Sequence, residues 1–320
     1  MFEYSAERKA LFSRFIRYRE ASNTWNEGYS KTLLYFDRFC SREFPGVSGI
    51  TQEMVDGWCR QRDTETHLSR ICRCQSMITL LQFLRERRLT DVGVPELPKC
   101  KPRGYIPHAF TEEELAGFFD LCDSNVSNAK TPAQAMRALV VAALFRLLYS
   151  SGIRTTEARL LLVKNIDLQQ GVLCIKDTKG YNQHYVVLHE SMVQLLVRYD
   201  ESASSHYPDR KYFFPVNIGD KAFSADMLDY EFHKAWDRIS STKAVPYDLR
   251  HHYAIQNINS WLDTGFDFHD KLLYLSKSMG HSSLESTKYY YSLVPSLANV
   301  IYEKTNKGFD DIVPEVADYE

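Results

Sequence analysis

The sequence has 320 residues, of which 44% are hydrophobic and 25% charged, and its formal net charge is −2. This length fits one large domain or two ordinary ones, and the lack of any run of about 18 apolar residues argues against a membrane span. The seven cysteines are odd in number and include no Cys-x-x-Cys pair. They argue against a disulfide framework or a zinc site and favour a reducing, cytoplasmic compartment.

Charge is distributed unevenly along the chain. Residues 1–103 contain 18 Lys and Arg against 13 Asp and Glu, a net charge of +5, whereas residues 104–320 carry −7. Five of the acidic residues lie in the last eleven positions, so residues 308–320 form an acidic tail. Ordinary solvated surfaces show similar imbalances, and charge alone therefore does not indicate nucleic-acid binding.

The first hundred residues show the periodicity of helices. Apolar and aromatic residues recur at helical spacing from Trp25 to Phe39, and a short helical stretch follows Thr51. Residues 65–88 combine an apolar stripe with several arginines. The pattern predicts a small helical bundle over residues 1–98.

Prolines interrupt this pattern. The segment 95–107, PELPKCKPRGYIP, contains four prolines and three basic residues. Because proline removes a backbone donor and resists helix formation, we predict a linker over residues 99–109. A basic, extended linker could follow a phosphate backbone, and a plain connector fits the composition equally well.

Helical patterning returns over residues 110–307. Thr111 and Glu114 form a capping-box pattern, and a strongly apolar helix opens at Pro132 and ends at Gly152. Short strand-like runs at 172–175 and 185–188 flank a turn and predict a hairpin. Further helices are predicted at about 155–162, 190–200, 224–240, 248–262, 270–279, 284–292 and 295–306. The predicted fold class is mainly α, with an N-terminal helical bundle and a mixed, mostly helical domain that contains a small antiparallel sheet.

Four residues in this second part suit an attack on a phosphodiester. Arg154 lies in SGIRTTE, Arg250 in YDLRH and His281 in MGH, and Tyr290 is the middle of three consecutive tyrosines. A phenol can act as the nucleophile, while guanidinium groups stay protonated and donate paired hydrogen bonds to phosphate oxygens. Two such groups on one phosphate would stabilise the charge that develops in the transition state.

In this order and spacing, the stretches resemble the tyrosine recombinase (phage integrase-like) family. SGIRTTEA is similar to the family's Gly-x-Arg-x-x-Glu element, YDLRH to its His-x-x-Arg-His element and MGH to its Leu-Gly-His turn. The resemblance extends over residues 100–300. Residues 1–98 match in length, position and helical character only, and they look like the family's SAM-like core-binding domain.

The resemblance implies a role for each matching residue. Arg154 and Arg250 would clamp the scissile phosphate, and Glu157 would support the fold around the first arginine. His281 would donate a hydrogen bond to the same phosphate. The residue after the second arginine, His251, is expected to pack beside the site.

The family places its nucleophile nine residues after the histidine, which is Tyr290 in this sequence. Tyr289 and Tyr291 flank it, and only one of three neighbours on a helix can face the arginines. Tyr247 occupies a position where most family members have histidine. It can donate a hydrogen bond to a phosphate oxygen, but it cannot shuttle a proton near neutral pH.

The family also carries a general-acid lysine on a hairpin after the first arginine. Lys179, in the predicted turn Thr178–Asn182, fits in position and in its Lys-Gly context. Lys176, three residues earlier and within the strand, is the second candidate. A lysine in a turn is otherwise simply solvated.

The resemblance implies site-specific DNA strand exchange, as in integration, excision or resolution of a mobile element. Tyr290 would form a 3′-phosphotyrosyl link that a free 5′-hydroxyl reverses, so no metal ion, ATP or other cofactor is expected. Expected partners are double-stranded DNA and further copies of the chain, with a tetramer in synapsis and residues 295–306 docked on a neighbouring subunit. The expected location is a bacterial cytoplasm, associated with the nucleoid when bound to DNA. Two alternatives stay open: a type IB topoisomerase-like nicking-closing enzyme, and a catalytically impaired DNA-binding regulator.

Overall fold

The computed structural model describes residues 4–25, 27–96, 106–176, 183–216, 221–260, 268–281, 283–288 and 290. The chain divides into two compact units, residues 1–104 and 105–320. This division falls within the predicted linker 99–109, of which residues 99–105 lie outside the described part of the chain.

The described part of the first unit is helical. It contains α1 (Ala6–Ala21), α2 (Glu27–Glu43), α3 (Gln52–Cys59) and α4 (His67–Glu86). The hydroxyls of Thr51 and Thr66 cap α3 and α4 by accepting backbone N–H groups two or three positions into each helix. Apolar faces of all four helices meet in one core, built from Phe12, Phe15, Leu33, Phe36, Met54, Trp58, Met77, Leu80, Leu81 and Leu84.

A buried ion pair joins α1 to α2. Arg8 Nε donates to Asp37 Oδ1 at 2.7 Å, and the two side chains are 1% and 5% exposed. Asp37 also accepts from the backbone N–H of Ser5 at 2.7 Å, and Arg8 donates to Ser41 Oγ at 2.8 Å. A buried charge is tolerated only when it is paired and hydrogen-bonded in this way.

Two arginines of α4 form hydrogen bonds inside the first unit and are not part of a solvated basic face. Arg73 forms an ion pair with Glu65, and both side chains are 11% exposed. Arg70 Nε donates to the carbonyl oxygen of Cys59 at 2.8 Å, at the end of α3. These bonds tie α4 to α3 and to the loop between them.

The second unit is built around a long apolar helix. Its helices are α5 (Glu112–Ser127), α6 (Pro132–Ser151), α7 (Thr155–Arg159), α8 (Glu190–His206), α9 (Ala225–Trp236), α10 (Asp248–Ser260), α11 (Phe268–Ser278) and α12 (Glu285–Lys288), with a 3₁₀ turn at Val163–Asn165. Helix α6 packs against α5, α8 and α10. By length and composition alone α6 could cross a membrane, but this is a weak indication, because core helices of soluble proteins pass the same test and half of its apolar stretch is buried here.

Two small antiparallel sheets lie in the second unit. Strands β1 (Ile166–Asp167), β2 (Val172–Ile175) and β3 (His184–Val187) pair in that order, with Leu173 opposite Val186. Strand β4 (Pro215–Val216) pairs with β5 (Lys221–Ala222). The predicted fold class is confirmed, and β1, β4 and β5, at two residues each, are too short for an alternating pattern to reveal. Helix α11 packs on β3, which brings the hairpin beside the end of α11.

Most predicted helices are found, with shifted ends. Helix α8 continues to His206 because Ala203 is fully buried and its carbonyl accepts the N–H of Tyr207. Helix α9 ends at Trp236, where the chain tightens and Ile239 N–H donates to the Trp236 carbonyl at 2.8 Å. The predicted helix 295–306 and the turn Thr178–Asn182 lie outside the described residues.

Candidate active site

Arg154 stands where the chain turns from α6 into α7. Gly152 ends α6 with a φ of +63°, and Arg154 is the N-cap of α7. Its backbone N–H donates to Glu157 Oε2 at 2.8 Å, and its guanidinium donates to Glu157 Oε1 and to the carbonyl of Gly280, both at 2.6 Å. The Glu157 side chain, 5% exposed, thereby fixes the direction of a guanidinium that is itself 22% exposed.

Arg250 lies in the first turn of α10 and is 1% exposed. Its Nη1 donates to the Gly152 carbonyl at 2.5 Å, and its Nη2 donates to the Met279 carbonyl at 2.8 Å and approaches His281 Nε2 at 2.9 Å. Its buried Nε has no hydrogen-bond partner among the described residues. Burial lowers the pKa of Arg250, and the neighbouring Tyr247 and Tyr290 oppose this shift.

Both guanidinium groups are held by carbonyls that follow helix ends. Gly152 caps α6, and Met279 and Gly280 follow α11 directly. The last carbonyls of a helix lack partners within it, and the helix dipole favours a cation there. The two arginines donate hydrogen bonds to these carbonyls, which places both guanidinium groups beside the ends of α6 and α11.

His281 is hydrogen-bonded through both ring nitrogens. Nε2 lies 2.9 Å from Arg250 Nη2, and Nδ1 lies 2.6 Å from Thr287 Oγ1. Burial, followed by the charges of Arg250 and Arg154 and by His184 and His251, lowers the pKa of His281 to about 4. The imidazole is therefore neutral at physiological pH.

Tyr290 is 3% exposed, and its ring lies within the same group of residues. It stacks on the His281 ring, with centroids 6.3 Å apart and an interplanar angle of 14°, and its centroid is 5.6 Å from that of His251. The Tyr290 ring also packs in an apolar cluster with Ala254, Ile258, Leu275 and Met279. The flanking Tyr289 and Tyr291 lie outside the described residues.

Tyr247 comes just before α10 and is 38% exposed. Its ring centroid is 6.0 Å from Arg250 Cζ and 5.0 Å from the His251 ring. It therefore borders Arg250 and is partly exposed to solvent. His251, predicted to pack beside the site, is 9% exposed and lies between the rings of Tyr247 and Tyr290.

Of the two candidate lysines, only one is described. Lys179 lies outside the described residues, and Lys176 is exposed, directly after β2. Lys176 borders a cleft of about 420 Å³ beside Arg154, together with Lys211 and Tyr212. The Lys176 side chain thus lines the same cleft as Arg154.

The structure adds two residues that the sequence analysis did not single out. Thr287, on α12, is fully buried and contacts His281. His184, on β3, packs so closely against Gly280 that a β-carbon there would lie 2.4 Å from the imidazole. A threonine and a strand histidine are common residues, and neither stands in a motif that could have marked it.

The described part of the chain shows no candidate metal-binding site. No group of three or more His, Cys, Asp or Glu side chains is arranged there to hold a metal ion. The cationic donors at the site are the guanidinium groups of Arg154 and Arg250, which suit an anion.

Solved structures share this fold at low sequence identity. The Tn1549 transposon integrase in complex with transposon right end DNA superposes with a TM-score of 0.59 at 13% identity, over 92% of this chain and 98% of that one. XerH recombinase bound to a palindromic difH substrate gives a TM-score of 0.58 at 17% identity, over 87% of this chain and 79% of that one.

Sequence comparison reaches the same group of proteins. Tyrosine recombinase XerC of Leptospira interrogans is 23% identical over 315 residues, 95% of this chain and 96% of that protein. The provisionally named integrase/recombinase y4rE of Sinorhizobium fredii is 30% identical over 189 residues, 58% of this chain and 59% of its own length. The model of the phage integrase family matches residues 109–296, which is more than half of the chain. The chain therefore belongs to the phage integrase family, the tyrosine recombinases.

Proposed function

We propose that this chain is a site-specific DNA recombinase that cuts and rejoins strands through a 3′-phosphotyrosyl intermediate on Tyr290. The observation that carries the proposal is the meeting of Arg154, Arg250 and His281 at the ends of α6 and α11, with the Tyr290 ring stacked on His281. Preorganised donors of this kind stabilise a phosphate as it gains charge in the transition state.

The chemistry proposed for the site needs two displacements. The Tyr290 oxygen forms a bond to phosphorus and gives its proton to solvent water, while the bond from phosphorus to the 5′ oxygen breaks. That oxygen takes a proton from a lysine, for which Lys179 and Lys176 are the candidates. A 5′-hydroxyl of the partner strand then displaces the tyrosine, and the number of phosphodiester bonds is conserved.

The similar proteins support the proposed partners. The XerH and Tn1549 integrase structures contain their DNA substrates, and a lambda integrase structure of the same fold is a tetramer bound to a Holliday junction. By analogy we propose double-stranded DNA and a tetramer in synapsis for this chain. A mobile-element role in a bacterial cytoplasm belongs to the same proposal.

One observation favours a second candidate, a DNA-binding protein that does not cleave. Tyr247, a residue 38% exposed beside Arg250, replaces the usual histidine and offers a hydrogen-bond donor but not an imidazole that can exchange a proton near neutral pH. A chain of this kind would bind its site tightly and leave the DNA intact.

Trapping on a nicked suicide DNA tests the proposal. The DNA would carry candidate sites from the region flanking the gene, and the covalent adduct would be mapped by mass spectrometry. We expect an adduct on Tyr290 that disappears in Tyr290→Phe and persists in Tyr274→Phe, a matched change of a tyrosine that is 69% exposed on α11.

Other outcomes of this experiment would indicate a different nucleophile or a different function. An adduct on Tyr289 or Tyr291 would move the nucleophile by one position. Tight binding without any adduct would favour the non-cleaving candidate, and relaxation of plasmid DNA without sequence preference would favour a topoisomerase-like activity.

A further inference from the structure

The two hydrogen bonds of His281 define where its proton lies. Arg250 Nη2, 2.9 Å from Nε2, is a donor and has no lone pair to offer. Nε2 must therefore be the acceptor and carries no proton. In the neutral ring the proton then sits on Nδ1, which donates to Thr287 Oγ1 at 2.6 Å.

The surrounding charges favour this neutral form. The groups that face the ring are Arg250 and His251 from α10, Arg154 from the turn before α7, and His184 from β3. The two guanidinium groups are positive, and together with burial they disfavour a second proton on the imidazole. A doubly protonated ring would also direct an Nε2–H at the N–H of Arg250.

Among the described residues, the Thr287 hydroxyl is the hydrogen-bond partner of Nδ1. Thr287 lies on the short helix α12 and is fully buried, and its backbone N–H donates to the Leu284 carbonyl at 2.9 Å. If its hydroxyl were removed, the Nδ1–H would be left buried without an acceptor. The ring would then lose the bond that fixes its plane and could turn away from Arg250.

We propose that Thr287 is a positioning residue that acts through His281 on Arg250. By accepting the Nδ1–H bond, its hydroxyl holds the ring in the orientation in which the unprotonated Nε2 accepts from one N–H of the buried Arg250 fork. The functional consequence rests on the proposed strand cleavage, in which this fork grips the scissile phosphate. Analogous partners of metal-bound histidines are worth about 10–100-fold in activity, and we expect about a tenfold loss here.

Two substitutions separate the hydroxyl from the shape of the side chain. Thr287→Val keeps the volume and removes the hydroxyl, whereas Thr287→Ser keeps the hydroxyl. We expect single-turnover adduct formation to fall about tenfold in Thr287→Val and to recover most of that loss in Thr287→Ser. Ser286→Ala, which removes an exposed hydroxyl one position earlier on α12, should form the adduct at the wild-type rate.

A spectroscopic measurement tests the proton position without DNA. Nitrogen-15 NMR of histidine-labelled full-length protein, with the His281 signals assigned from His281→Gln, distinguishes protonated from unprotonated ring nitrogens. We expect a protonated Nδ1 and a bare Nε2 in the wild type and in Thr287→Ser, and a mixture of the two neutral tautomers in Thr287→Val, where the ring is free to turn away from Arg250.

The inference and the proposed function fail in different ways. A wild-type ring protonated on Nε2, or equal adduct rates in the wild type and a folded Thr287→Val, would overturn the role of Thr287. Equal losses in the Ser and Val variants would also overturn it. If the wild type binds DNA but forms no adduct, the proposed cleavage is wrong. The NMR result would still decide which ring nitrogen of His281 carries the proton. If Thr287→Val does not fold, the wild-type spectrum alone decides.

Discussion

Gly152 and Gly280 supply two of the carbonyls that hold the arginines, and both adopt left-handed backbone conformations, with φ of +63° and +62°. A β-carbon at Gly152 would lie 2.2 Å from the Tyr253 ring, and one at Gly280 would lie 2.4 Å from the His184 ring. Both positions therefore need glycine for two reasons, conformation and space. The ring that packs on each glycine comes from an element bordering the site, α10 or β3.

Replacing Gly152 by alanine should damage the fold and the Arg250 site together. We expect a loss of about 1–2 kcal/mol from the left-handed conformation, with about 1–3 kcal/mol more because Tyr253 must move. Gly46→Ala is the control, because Gly46 has a φ of +75° but nothing within 4 Å of a β-carbon. The midpoints of urea unfolding compare the two, and equal losses would contradict the role given to Tyr253.

At the residue scale, sequence order indicated the arginines, the histidine and the tyrosine, and the structure brings Arg154, Arg250, His281 and Tyr290 together. The two arginines bond to main-chain carbonyls at helix ends, whose positions follow from the local sequence. The partner of Nδ1 was not predictable, because a hydroxyl six residues after a histidine has no characteristic pattern. The Thr287 hydroxyl lies beside Nδ1 of His281 because of the direction in which α12 runs.

Elements in this protein are joined by polar contacts as well as by apolar faces. In the second unit, the ends of α6 and α11 are joined through Arg250, which lies in the first turn of α10. In the first unit, α1 and α2 are joined through Arg8 and Asp37. In both places a buried guanidinium satisfies oxygens that burial would otherwise leave without partners.

Asp37→Asn should loosen the contact between α1 and α2. The change keeps the shape of the side chain but leaves the charge of Arg8 buried without its counter-ion, and breaking a buried pair typically costs about 3–5 kcal/mol. Glu43→Gln, in a pair whose side chains are 74% and 46% exposed, should cost less than about 1 kcal/mol. Hydrogen exchange of peptides from α1 and α2 measures both, and similar protection in the two variants would refute the importance of the buried pair.

Element prediction succeeded where an apolar period extended over several turns or where two strands flanked a turn. Strand β2 begins and ends at the predicted residues, Val172 and Ile175. The shortest elements escaped because they carry no period: β1 is set by its pairing with β2, and Ile166 lies opposite Leu173. The sequence showed several arginines in α4 but not their partners: Arg70 and Arg73 bond to α3 and to the loop that follows it.

At the scale of the whole molecule, each unit has a hydrophobic core of its own. The core of the first unit is built from residues between Phe12 and Leu84, and the large core of the second from residues between Phe110 and Leu249. The described candidate residues all belong to the second unit, while the excess of basic residues belongs to the first. We therefore expect that the second unit on its own retains the proposed strand cleavage but binds DNA more weakly than the full chain.

A fragment of residues 105–320 should therefore fold alone and keep the chemistry while losing affinity. We expect a helical circular dichroism spectrum with a cooperative unfolding transition. On the suicide DNA, at saturating fragment concentration, we expect an adduct that is absent from the same fragment carrying Tyr290→Phe.

Removing residues 1–104 also removes a net charge of +5. Fewer phosphate contacts release fewer counterions, so the logarithm of the binding constant should fall less steeply with the logarithm of salt concentration than it does for the full chain. Fluorescence anisotropy with labelled duplex DNA gives this slope for both proteins. Equal slopes would mean that the basic residues of the first unit do not face DNA, and an unfolded fragment would mean that the second core depends on the first.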